Sequence, residues 1–234
     1  MSARSLRLLL VIGALLAEAS VASAQQVAYA ASALSELDSV TQAAVVRELG
    51  RARTRGLPVQ PLVAKVREGQ IKRAAPERIR HAVAALAARL DSARSALGTA
   101  SNAAELVAGA DAIAAGVDQA ALRAVRAASG PRDVSAPLGA LAQLVASGVP
   151  LRRATQMMVE LVKRDAGPRE ILAFGIAVES DVGAGVPAEE SALFRLRAIE
   201  SGATGEGVTL STGVGDPATV PISPGDTRRP RRKP

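Results

Sequence analysis

Apolar residues recur every three or four positions along most of this chain, and glycine and proline cut the runs at related points. From Val27 to about Arg55 there is no proline, and Leu34, Leu37, Val40, Ala44, Val45 and Leu49 keep helical spacing. Gly56-Leu57-Pro58 closes that run. Glycine supplies the left-handed position just past a helix, and proline suits the first turn of the next one. The same break returns at Gly148-Val149-Pro150 and at Gly185-Val186-Pro187. At Gly116-Val117-Asp118 an aspartate stands in for proline and predicts an N-cap for a helix beginning at Gln119. Pro76, Pro131 and Pro168 lead further helix starts. Together these signals predict nine helices, over 28–55, 59–73, 76–97, 101–115, 118–129, 132–147, 151–165, 168–183 and 187–201.

The breaks also repeat as phrases. Gly130-Pro131-Arg132-Asp133-Val134 returns 37 residues later as Gly167-Pro168-Arg169-Glu170-Ile171, and Gly148-Val149-Pro150 keeps the same offset to Gly185-Val186-Pro187. A second offset of 92 places Gly56 on Gly148, Pro58 on Pro150, Pro76 on Pro168 and Ile79 on Ile171 without a gap. Periods of this size mark stacked supersecondary units, each burying an apolar face against the next. The predicted fold class is therefore all-α: tandem helical hairpins, arranged as an α-solenoid-like array or a pseudo-repeated helical bundle. The period is similar to that of tetratricopeptide-type arrays, whose aromatic consensus positions are absent here, and no family is inferred from it.

Composition changes this picture at both ends. Arg4 and Arg7 precede an apolar run from Leu8 to Leu16, and Ala22-Ser23-Ala24 fits a small-residue cleavage site. The run is shorter than the 20 or so residues needed to span a bilayer core. Residues 1–24 thus read as a signal peptide, and the mature chain is expected to be periplasmic or extracellular. The chain has no cysteine, so packing rather than disulfides must hold an exported domain together, and lipid attachment through cysteine is excluded. Residues 25–201 form the expected helical repeat domain. Residues 202–234 are rich in Gly, Thr, Ser and Pro and end in basic residues; that composition predicts a disordered linker and tail.

Aromatic residues make up 1% of the chain, so Ala, Val and Leu must fill the core, which itself favours closely packed helices. The net charge of +7 is unevenly spread. Residues 47–94 hold twelve Lys or Arg against Glu48, Glu68, Glu77 and Asp91. Within and beyond that segment, Arg47, Arg51, Arg53, Arg55, Lys72 and Arg73, with Arg228, Arg229, Arg231, Arg232 and Lys233 of the tail, are candidate contacts to an anionic surface. The competing explanation is ordinary: basic residues near helix C-termini complement the helix dipole, and Arg stems cover apolar surface.

Catalytic chemistry finds little support. His81 is the single histidine, and its spacing from Glu77 reads as a helix-surface contact. One His and no Cys cannot build a typical zinc site, and no Gly-x-Ser-x-Gly elbow is present. Glu179 with Asp181, and Glu189 with Glu190, point to different helix faces instead of flanking one bond. Met157, Met158, Phe174 and Phe194 could line a greasy groove but read better as core filling between the last repeats. No catalytic residue, cofactor, metal or small-molecule substrate is inferred. The expected function is non-enzymatic: an interaction or scaffold protein of the cell envelope or exterior whose partner is another protein. The alternative is a binder of anionic polymers or membrane surface through residues 47–94 and the tail.

Overall fold

The computed structural model describes residues 32–201. The expected signal peptide and the expected disordered tail, including Arg228, Arg229, Arg231, Arg232 and Lys233, lie outside the described residues. Within them the chain is all-helical. A helical turn at residues 32–35 precedes α1 (Ser39–Thr54), α2 (Gln60–Ile71), α3 (Pro76–Leu97), α4 (Ala103–Ala114), α5 (Gln119–Ser129), α6 (Ser135–Ala146), α7 (Leu151–Lys163), α8 (Pro168–Gly183) and α9 (Ala188–Glu200).

Every extensive helix–helix contact joins elements one or two places apart in the chain. Contacts between α1 and α3, α3 and α5, and α5 and α7 make one row; those between α4 and α6, and α6 and α8, make a second. The rows meet where α3 packs on α2 and α4, α6 on α7, and α8 on α9. This nearest-neighbour pattern is that of tandem hairpins stacked in an array. α3 is the longest helix, with 22 residues, and its length lets it touch α1, α2, α4 and α5.

The core runs between the rows as an unbroken line of small aliphatic side chains. Leu62, Leu90, Leu106, Leu122, Leu138, Leu141, Leu144, Met157, Met158 and Leu161 are fully enclosed. Glycines in two helices allow unusually close packing. A Cβ on Gly109 of α4 would lie 2.9 Å from the Ala93 methyl group of α3, and one on Gly175 of α8 would lie 3.5 Å from Cα of Ala140 in α6.

One helix-ending device recurs six times. After α1, α2, α4, α6, α7 and α8 a residue with positive φ is followed by an apolar residue that folds back onto the helix. Val149 N–H donates to the Leu144 carbonyl at 2.9 Å and Gly148 N–H to the Val145 carbonyl at 3.0 Å. The same pair of bonds forms at Gly56-Leu57, Gly116-Val117 and Gly185-Val186. This is the Schellman arrangement, and its apolar residues Leu57, Val117, Val149 and Val186 are buried. Arg73 (φ 50°) and Asp165 (φ 59°) occupy the glycine position after α2 and α7, and they are separated by the same 92 residues as the sequence repeat.

Two boundaries differ from the sequence expectation. The first predicted helix is interrupted at residues 36–38, and α1 begins only at Ser39. Asp38 causes the break: its carboxylate accepts the Val40 and Thr41 N–H groups at 3.1 and 3.0 Å, which fixes a new helix start. The second lies in the 37-residue phrase. Pro168 opens α8 directly, whereas Pro131 sits in a turn and α6 starts at Ser135. Gly130 has φ 58°, while Gly167 is extended at φ −70°. Asp133 accepts the Ser135 N–H at 2.8 Å and Glu105 accepts the Val134 N–H at 3.1 Å, so outside carboxylates satisfy the amides there. The apolar anchors of the phrase keep their role, with Val134 and Ile171 both buried.

Candidate interaction surface

The basic candidates on α1 are all exposed but do not act as one free cluster. Arg51 pairs with Glu48 at 3.3 Å on its own helix, and Arg55 reaches Asp91 on α3 at 2.8 Å. Lys72 pairs with Glu68 at 2.6 Å, and Lys65 shares the same carboxylate. Those hydrogen bonds, from Lys65 first and then Lys72, hold the Glu68 carboxyl down to about 2. Arg47, Arg53 and Arg73 carry no ion pair among the described residues. A cleft of about 390 Å³ opens between α1 and α3, floored by Ala52, Leu57, Ala84 and Ala87. Its rim is self-neutralised, since Arg51 and Arg55 already face Glu48 and Asp91.

The carboxylates considered for catalysis do not converge on one site. Glu77 accepts from Arg80 at 3.1 Å, and His81 is exposed. Glu179 accepts from Gln143 on α6, while Asp181 turns to α9. There Arg195 donates to both its oxygens, at 2.8 and 2.7 Å, and the Ser191 hydroxyl adds a third bond at 2.6 Å. The Arg195 bonds lead in holding the Asp181 carboxyl below its ordinary range. Glu189 binds Arg153 at 3.1 Å, and Glu190 stands exposed beside it. Met157, Met158 and Phe174 are buried and Phe194 is half-buried. Among the described residues no group of three or more His, Cys, Asp or Glu could hold a metal ion, and no helix is long and apolar enough to cross a membrane.

Glu105, marked in the sequence only by the capping-box spacing from Asn102, is the buried polar hub of the array. One oxygen closes a capping box with Asn102 at the start of α4. The other accepts from Arg126 of α5 and from the Val134 N–H ahead of α6. A single carboxylate thereby fixes three consecutive elements through three hydrogen bonds.

The two rows present opposite surfaces. α5 and α7 turn Arg123, Arg152, Arg153, Glu160, Lys163 and Arg164 to solvent. α6 contains no charged residue at all, and α8 has none between Glu170 and Glu179. Ala136, Gly139, Ala142 and Ala146 of α6 lie on one stripe at least partly open to water. Beside it stand Leu172, whose Cδ2 is 4.0 Å from where a Gly139 Cβ would sit, and Ile176, 60% exposed. α4 continues the face with Ala104 and Ala108, interrupted by Asp111. Apolar spacing on α8 makes Leu172 and Ile176 look like core positions; the usable sequence signal is the missing charge across α6. No protein-family model, curated protein or solved structure matches this chain.

Proposed function

We propose that this protein is an exported, non-enzymatic interaction or scaffold protein of the cell envelope or exterior, which holds a protein partner on the uncharged face of the α4–α6–α8 row. The contrast between the rows carries the reading. A helix apolar on all sides is normally covered, and contiguous exposed apolar surface on a soluble domain marks an interaction site. The α5 and α7 faces show that this same fold tolerates charge wherever it meets only water. Export rests on the basic start, short apolar run and Ala22-Ser23-Ala24 of the leader. The test uses the full chain as bait on native envelope and culture fractions at low and high salt. A discrete protein kept at high salt by the wild type and lost by Ile176→Glu supports the assignment; one kept equally by Ile176→Glu contradicts it.

A second reading has its own observation. All four acids of residues 47–94 are already paired with Arg or Lys, so the excess positive charge of that segment is uncompensated. Binding to an anionic polymer or membrane surface would then fall steeply with added salt, because contacts to phosphates release counterions. Salt-insensitive binding to anionic vesicles or nucleic acid would contradict it.

A further inference from the structure

We propose that copies of this chain associate head to tail, with α9 of one molecule packing against α1 of the next. The proposal is independent of the partner on the uncharged row. A stacked array has two open ends, and arrays that stay single close them with polar terminal units. This one does not. Val46 on α1 is 49% exposed and Ile71 on α2 is 82% exposed. Among the described residues, exposed large aliphatic side chains occur only on α1, α2 and α8, never on α3 to α7.

Val46 lies on the outer side of α1. α1 faces α3 through Thr41, which accepts from Arg80, and through Arg55, which binds Asp91. At 100° per residue Val46 lies roughly 140–180° from those two positions, so it points away from the array. Arg53, seven residues on, shares that side and has no ion pair among the described residues. α9 faces α7 through Glu189 and Glu200, which bind Arg153 and Arg164. Phe194 lies roughly 120–140° from both. It is partly buried, with the Arg195 guanidinium 5.9 Å from its ring centre, and Glu190, four residues before it on the same side, is exposed and unpaired among the described residues. Each end thus offers one apolar group, exposed at Val46 and partly buried at Phe194, beside one charge unpaired among the described residues, and the two charges are opposite.

The surrounding modules agree in sign. Residues 39–73 carry eight Lys or Arg against Glu48 and Glu68. Residues 168–200 carry Arg169, Arg195 and Arg197 against six Asp or Glu. α9 adjoins α7 through the Arg153–Glu189 and Arg164–Glu200 pairs, so a second copy's α1 beyond it would continue the α1–α3–α5–α7 row. Such an interface is heterologous: the two patches differ, and it builds chains or rings instead of symmetric pairs.

The test is sedimentation of the purified full chain from about 1 μM to 1 mM, a range that resolves weak association. The wild type should grow with concentration beyond a dimer. Val46→Asp and Phe194→Asp chains should each stay monomeric with an unchanged helical circular-dichroism spectrum. Mixed in equal amounts they should form a one-to-one dimer, because each keeps one working end. Arg53→Glu and Glu190→Arg should each weaken association about tenfold or more, and both changes in one chain should restore it. A wild type monomeric throughout, a mixture that stays monomeric, or a double reversal without rescue overturns the proposal.

Discussion

Arg153 and Glu189 meet at 3.1 Å across the α7–α9 contact although 36 residues separate them. The same separation joins Arg55 to Asp91, Gln143 to Glu179 and Arg164 to Glu200. One hairpin of chain brings a side chain back beside its counterpart one layer along. The 37-residue sequence offset is thus the stacking period seen from inside the chain.

These links differ greatly in worth. Arg153 and Glu189 are each about half-exposed, so Arg153→Ala is expected to cost less than about 0.5 kcal/mol. Glu105 is 4% exposed, and Glu105→Ala leaves Arg126 and the Val134 N–H without their partner. A loss of about 3–5 kcal/mol is expected there. Urea denaturation of the two variants measures the difference, and comparable midpoints would refute the hub assignment.

The helix-ending device predicts opposite signs at two equivalent positions. Gly185 has φ 93° and open space where a Cβ would go, so Gly185→Ala should cost about 1–2 kcal/mol through backbone strain alone. Arg73 already bears that strain at φ 50°. Arg73→Gly should stabilise by about 0.5 kcal/mol, the relief being partly offset by the freer unfolded chain. Thermal unfolding of both variants checks the signs.

Gly109 sets two effects against each other. Alanine gains about 1 kcal/mol of helix propensity over glycine. Its methyl group, however, would lie 2.9 Å from the Ala93 Cβ, 3.1 Å from Leu97 and 3.3 Å from Leu122. Ala93 has no side-chain freedom with which to yield, so α3 and α4 must separate. Overpacking of about 1–3 kcal/mol should win, and Gly109→Ala should be the less stable protein in denaturant titration.

Acid should loosen the C-terminal hairpin through Asp181. Its carboxyl lies below the ordinary range because Arg195, with Ser191, binds the charged form. A depressed folded value means the stabilisation is complete above about pH 4, the unfolded value, and fades as pH falls through the folded one. Asp181→Asn should lower the melting temperature at neutral pH and flatten its decline below about pH 4. An unchanged slope would show that other carboxylates carry the acid dependence.

Much of the fold was legible because its punctuation is chemical. Glycine, an apolar residue and a helix starter mark four turns directly in the sequence, and each forms as the Schellman arrangement requires. Arg73 holds the same conformation unannounced, since nothing in its side chain signals positive φ, whereas Asp165 is of a type that tolerates the left-handed region. The later start of α6 was hidden for a similar reason: Glu105, 29 residues from Val134, supplies the acceptor, and local spacing carries no trace of it. Surface assignment was harder again. The basic residues stood out by composition, yet several are neutralised by partners such as Asp91, 36 residues away from Arg55. The missing charge of α6 is visible in the sequence, but only the fold sets that helix between α4 and α8.

The most direct test places a photo-crosslinking residue at Ile176, on the uncharged row, and in a second protein at Arg152, on the charged row, and irradiates each in native envelope fractions. A discrete protein adduct from position 176 and none from position 152 is the predicted result. Adducts at 152 alone, or no protein adduct at 176, would contradict the assignment of the α4–α6–α8 face as the partner-binding surface.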